Sequence, residues 1–279
     1  MSKSNAVTTI YDQYATLASK YKLPFTPEAG TTLNDKFGIN YAAPPTEGYP
    51  EIKYLAVGNG GHAVITGDNF VCGLMHSCTD SALKNQLPWI VVPANNDLTL
   101  VEMAKYRIRV PMVIRGNPYI AYYLKVIDFP PMHIGYSTFK LEGGEVVNQQ
   151  VYVPTLATQN PNMIDSSNIS LNLVSGNHIA TTIDTSIHLS EADLNGIIDA
   201  CILLYGTANA ATISELALVH GFDIESQLLV NGVQATYTEV QCAQVANFIS
   251  IVYPANANPN PSITEGINIG IAQPLLMSI

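Results

Sequence analysis

The chain has 279 residues, enough for one large core or two smaller ones, and is 47% hydrophobic but only 12% charged, about half the usual charged share. All 12 Lys and Arg lie within residues 1–140, so residues 141–279 carry 12 of the 22 Asp and Glu with no cation at all. Such a half must leave its carboxylates in water, bind metal ions, or meet cations on the other half or on another chain, and its repulsion of phosphate excludes specific nucleic-acid binding as its task.

In chain order, Val7, Ile10, Tyr14, Leu17 and Tyr21 recur at spacings of three and four and predict a short helix with one apolar stripe, stopped by Pro24. The stretch Leu23 to Pro50 is rich in Pro, Gly and Asn and reads as an extended connector, so residues 1–50 form a helix on an arm that docks on its own domain or, in an assembly, on a neighbouring chain. Residues 1–22 lack a continuous apolar core, which predicts no signal peptide and synthesis in a cytosol. No apolar run reaches the roughly 20 residues of a membrane-spanning helix.

Residues 51–153 read as an antiparallel domain. Lys53–Val57 and Ala63–Ile65 flank Gly58-Asn59-Gly60-Gly61 as a hairpin-like turn, and Arg107–Ile114 and Tyr119–Ile127 flank Arg115-Gly116-Asn117-Pro118. A third pair, Ser137–Leu141 and Val146–Val153, flanks Gly143-Gly144. Thr99-Leu100-Val101-Glu102 is a capping box opening a short helix. Residues 154–279 form an acidic α+β region. Asn, Ser and Thr dominate Pro154 to Asn177, which reads as a partner-contacting loop or weakly patterned strands. Ser190-Glu191-Ala192-Asp193 caps a helix ended by Gly206, with Leu194, Ile197, Ile198, Cys201 and Leu204 on its buried stripe. A second helix is predicted over Ile213–His220, Asn231-Gly232 marks a hairpin, and Tyr237–Ser250 leans helical. After Pro254 the chain turns apolar, so its tail is bound and not free. The fold class is α+β, with a mainly antiparallel β core, a few helices, an extended N-terminal arm and a C-terminal tail.

Catalytic signals are sparse. Gly58-Asn59-Gly60-Gly61-His62 is followed by strand-like residues, which marks a turn and not a phosphate cradle. His62, Cys72, His76 and Cys78 could in principle surround zinc, but Cys72-x3-His76-x-Cys78 matches no common module; packing and hydrogen bonding are the expected roles, and no metal or cofactor is assigned. Cys201 and Cys242 read as reduced core thiols that could face each other. No nucleophile elbow occurs, so no catalytic residue is assigned. The scattered acids, among them Glu191, Asp193, Glu215 and Asp223, read as a solvated face or as one coherent negative surface. Arg107, Arg109 and Arg115, with Tyr106, Tyr119 and Tyr123, form the expected interaction surface, pairing with the acidic half of this or a neighbouring subunit.

With Asn96-Asp97-Leu98-Thr99, Glu102 and Lys105-Tyr106-Arg107-Ile108-Arg109 beside Gly58-Asn59-Gly60-Gly61-His62, residues 50 to 127 resemble uncharacterised virion structural proteins of tailed bacteriophages. The charge-poor, Tyr- and Asn-rich composition is similar to that of tail, neck and baseplate components. Its motifs are not catalytic signatures, so the resemblance carries over no active-site residue. It implies a ring or connector subunit, assembled in the host cytoplasm, that joins copies of itself and other virion proteins, with at most passive contact with a DNA channel. The alternatives are a small hydrolase or metal-binding enzyme using His62, Cys72, His76 and Cys78, or a glycan-binding module.

Overall fold

The computed structural model describes residues 4–39, 45, 47–65, 70–73, 75–143, 145–156, 173–230, 232–257 and 261–277. In chain order the first elements are β1 (Ser4–Asn5), β2 (Val7–Thr8), α1 (Ile10–Tyr21) and α2 (Leu33–Phe37). There follow β3 (Glu51–Gly58), β4 (His62–Ile65), β5 (Phe70–Gly73), β6 (Gln86–Leu87), β7 (Ile90–Pro93) and α3 (Leu100–Met103). Next come β8 (Tyr106–Ile114), β9 (Asn117–Val126), β10 (His133–Glu142), β11 (Glu145–Val151) and β12 (Leu173–Leu189). The chain ends with α4 (Glu191–Tyr205), β13 (Thr212–Val230), β14 (Val233–Pro254) and β15 (Ile263–Met277). The architecture is the expected α+β class dominated by antiparallel sheet.

Two compact units divide the contacts, residues 1–129 with 186–267 and residues 130–185 with 268–279. The first unit is built on an eight-stranded sheet in the order β2-β14-β13-β3-β9-β7, with β6 pairing on β3 and β8 on β9. Its core gathers Tyr54, Ala56, Ile108, Ala121, Leu124, Val219, Val245 and Phe248. α4 begins at a capping box of Ser190 and Asp193, ends at Gly206 and buries Leu194, Ile197, Ala200 and Cys201. Among the described residues no helix is long and apolar enough to cross a membrane.

Residues 212–230 and 233–254 are two long paired strands and not helices, which corrects the helical readings of Ile213–His220 and Tyr237–Ser250. The reason is burial on both faces. Ile213 through Gly221 and Val240 through Ile249 are buried at every position, so no alternation marks them as strand and chance apolar spacings imitate a helix. The hairpin at Gly232 is as expected, with Val230 opposite Val233, while Asn231 lies outside the described residues. β8 and β9 also pair as expected, turning at Arg115 and Gly116, both with positive φ. β3 and β4 do not pair. β3 lies between β13 and β9, while β4 pairs with β5.

The N-terminal arm also differs from expectation. α1 is capped by Thr9 and lies on its own chain, through Ala15 and Ala18 against Phe25, Cys242 and Phe222. Its small face docks, and the predicted apolar stripe of Ile10, Tyr14, Leu17 and Tyr21 is exposed. The connector contains α2, whose buried Asn34 donates from Nδ2 to the Val240 carbonyl at 2.8 Å and accepts from the Ala243 amide at 2.9 Å. That side chain satisfies β14 backbone beside a register shift, at Cys242 with φ 52°.

In the second unit β10 pairs antiparallel with β11 and β12, and β15 adjoins β12. The third expected hairpin is therefore present, although Gly144 lies outside the described residues. Most of the predicted loop 154–177 also lies outside them, and its end, from Leu173, belongs to β12. The apolar tail is strand β15.

Candidate functional site

Glu215 sits near the start of β13 with no exposed surface. Its Oε1 accepts from the amides of Gly60 (2.9 Å) and Asn85 (3.0 Å), and its Oε2 accepts from the Lys84 amide (3.1 Å) and His76 Nε2 (2.6 Å). His76 reaches Asp80 Oδ2 with its other nitrogen at 2.8 Å, and its ring stacks on Phe248 with centroids 3.9 Å apart. The ring thus bridges two carboxyl groups, one at each nitrogen. Burial opposes the Glu215 charge, but the hydrogen bonds from His76, Asn85, Lys84 and Gly60 outweigh it and hold the carboxyl below its ordinary range.

Next to it, Ser214 Oγ accepts from the Gly61 amide at 2.9 Å and lies 3.0 Å from His62 Nδ1. The glycines are needed for close approach. A Cβ on Gly60 would stand 2.7 Å from the Asn85 nitrogen, and one on Gly61 2.7 Å from the Ser214 carbonyl oxygen. The Gly58–Gly61 segment is therefore a clasp closed on a buried carboxylate. Four donors occupy both oxygens of Glu215, so the arrangement is suited to fastening segments 58–62 and 76–85 to β13.

The described members of the sequence-predicted ligand set have other partners. His76 has both nitrogens committed to carboxylates, His62 bonds Ser214, Cys78 is exposed, and the Cys72 side chain lies outside the described residues. Among the described residues no three His, Cys, Asp or Glu side chains group as a metal site. Cys201 and Cys242 are free and buried, and burial pushes their thiols up to about 12 and about 11. They do not share a packing cluster in the way expected, because Cys242 packs with Ala15, Ala18 and Phe25 under α1.

The basic residues mostly pair within the chain. Arg107 Nε meets Asp223 at 2.7 Å, and Lys125 Nζ meets Asp193 at 2.6 Å while lying over the Trp89 ring. Both acids belong to the cation-free half, so that half finds cations on the other. Arg109 makes a forked contact with Asp97, which also accepts from the Tyr122 hydroxyl at 2.6 Å. Tyr106 is half-buried beside Tyr122, and Tyr119 is half-buried in the β8–β9 pair. Tyr123 belongs to the core against Phe37, which corrects its expected place on an interaction surface. Arg115 is exposed at the β8–β9 turn.

A sequence family matches across residues 1–279, described as a family of unknown function, DUF7208. The chain belongs to DUF7208. No curated protein and no solved structure matches it. For this DUF7208 member, function must be argued from its own surfaces. The most telling is the second unit, where only one apolar side chain in residues 130–185, Ala180, is buried among the described residues. Ile134, Tyr136, Leu141, Val146 and Val151 on β10 and β11 are exposed. The charged residues singled out from sequence lie elsewhere. Glu215 could not be found from sequence because its partner His76 is 139 positions away.

Proposed function

We propose that the chain is a structural subunit of a bacteriophage virion, forming a ring or connector in the neck, tail or baseplate. The observation that carries this reading is the sheet of β10, β11 and the part of β12 up to Thr185, in which Ala180 is the only buried apolar side chain among the described residues. Uncovered apolar side chains on a sheet invite association, and here they stand open on both faces, Ile134 and Tyr136 on one and Leu141, Val146 and Val151 on the other. Copies of this chain or other virion proteins supply the cover. The exposed stripe on α1 is a second uncovered apolar surface. The bacteriophage context comes from the resemblance of residues 50–127, and the low charge is in keeping with surfaces buried between subunits.

Particle mass in solution tests the association. The wild-type chain assembles, alone or when mixed with its virion neighbours, and a Val151→Lys, Ile134→Glu double variant stays folded and does not. A variant that assembles as well as wild type would overturn the reading. The metal-enzyme alternative gains no support from geometry, because His76 is held on both sides by carboxylates.

A further inference from the structure

A pocket of about 330 Å³ opens between α1 and the segment 26–31, at the size where small-ligand sites begin. α1 supplies Ile10, Tyr11 and Tyr14 to its wall, and β14 supplies Gln244, which is 2% exposed. Glu28 and Thr31 line the other side. The Tyr11 hydroxyl donates to the Thr79 carbonyl at 3.0 Å, and Tyr14 packs on Phe25 at 5.7 Å between centroids, so both rings are held before any ligand arrives.

The hydrogen bonds determine what the pocket lacks. Thr31 has one hydroxyl hydrogen, which it donates to the Glu28 carbonyl at 2.6 Å. Toward Gln244 it can therefore only accept, which turns Nε2 of that amide to Thr31 at 2.8 Å. Oε1 of Gln244 is left buried with no partner. An orphaned buried acceptor is costly, and a donor entering through the pocket would relieve that cost. The Glu28 carboxylate makes no ion pair among the described residues, and no Lys or Arg lines the pocket.

We propose that this pocket binds an alkylammonium or guanidinium group, its charge met by Glu28 and the faces of Tyr11 and Tyr14, and one N–H directed to Gln244 Oε1. Carboxylate, aromatic faces and a bare carbonyl together select a cation that carries hydrogen-bond donors, and Ile10 gives an aliphatic stem an apolar wall. The cation is either a free amine or a Lys or Arg side chain of a neighbouring chain. The site is complete within one chain and does not depend on the assembly reading.

Calorimetric titration of the full chain with n-butylguanidinium tests it, with n-butanol as the neutral comparison. Saturable binding of the cation, at least about tenfold tighter than butanol, is expected. Glu28→Gln should weaken it about tenfold and Tyr14→Leu about fivefold, both being exposed positions whose folding circular dichroism can check. Equal binding of butanol, no saturable binding, or unchanged binding in both variants would overturn the proposal. Mass in solution separates the sources. Binding that disperses an oligomer supports the site with a neighbour's side chain as its cation, and binding that leaves the mass unchanged supports it with a free amine.

Discussion

His76 and Glu215 stand 139 residues apart in sequence and meet at 2.6 Å, Nε2 to Oε2, in the middle of the main sheet. The ring is clamped between that carboxylate and Asp80 and stacked on Phe248, so one contact fixes a long connecting segment to β13.

Glu215→Gln should destabilise the chain by about 3–5 kcal/mol, the cost of breaking one side of a buried pair. The pH dependence follows from the lowered carboxyl. A group whose folded value lies below its unfolded one contributes fully above the unfolded value, and that contribution is lost as pH falls through the folded one. Urea unfolding across acid pH should therefore show a steep loss for wild type and a flatter profile for the variant.

Gly61→Ala places a methyl group 2.7 Å from the Ser214 carbonyl oxygen, against backbone that cannot rotate away. A loss of about 1–3 kcal/mol is expected, with faster amide exchange at Gly60 and Asn85 as the clasp loosens. Unchanged exchange there would show that the loop is held by other contacts.

Asn34→Ala removes two buried hydrogen bonds to β14 and leaves the Val240 carbonyl and the Ala243 amide without that partner. The expected cost is about 2–4 kcal/mol, read as a lower urea midpoint with the slope unchanged.

Asp12 gives pH dependence of a different kind. Burial raises its carboxyl from 3.8 to about 6, so the folded value lies above the unfolded one. Stability associated with this group is fully present below the unfolded value and is lost as pH rises through about 6. Asp12→Asn removes that loss. The variant should be about 1 kcal/mol more stable at pH 8, a figure discounted for solvent screening at a partly buried position, and nearly equal to wild type at pH 4.

Much of the fold was legible where local chemistry sets it. Ser190 and Asp193, Gly206, Thr99 and Glu102, and the Arg115-Gly116 turn each announce an element end through backbone hydrogen bonds that neighbouring residues must satisfy. β13 and β14 are legible at the hairpin that joins them but not over Ile213–Gly221 and Val240–Ile249, because a strand buried on both faces has no alternation. α1 was placed correctly but oriented wrongly. Periodicity locates an apolar stripe and cannot say that Ala15 and Ala18 on another face would dock instead. Of the candidate site, the sequence offered the Gly58–His62 segment and His76 as separate curiosities. Glu215 looked like one more solvated acid, and only the pairing of β13 with β3 brings it to them.

We propose that the β10–β11 sheet is covered by another subunit. A density map of the assembled particle tests it most directly. Ile134, Tyr136 and Val151 should be buried against neighbouring proteins. A particle in which those side chains face solvent, or one that lacks this chain, would contradict it.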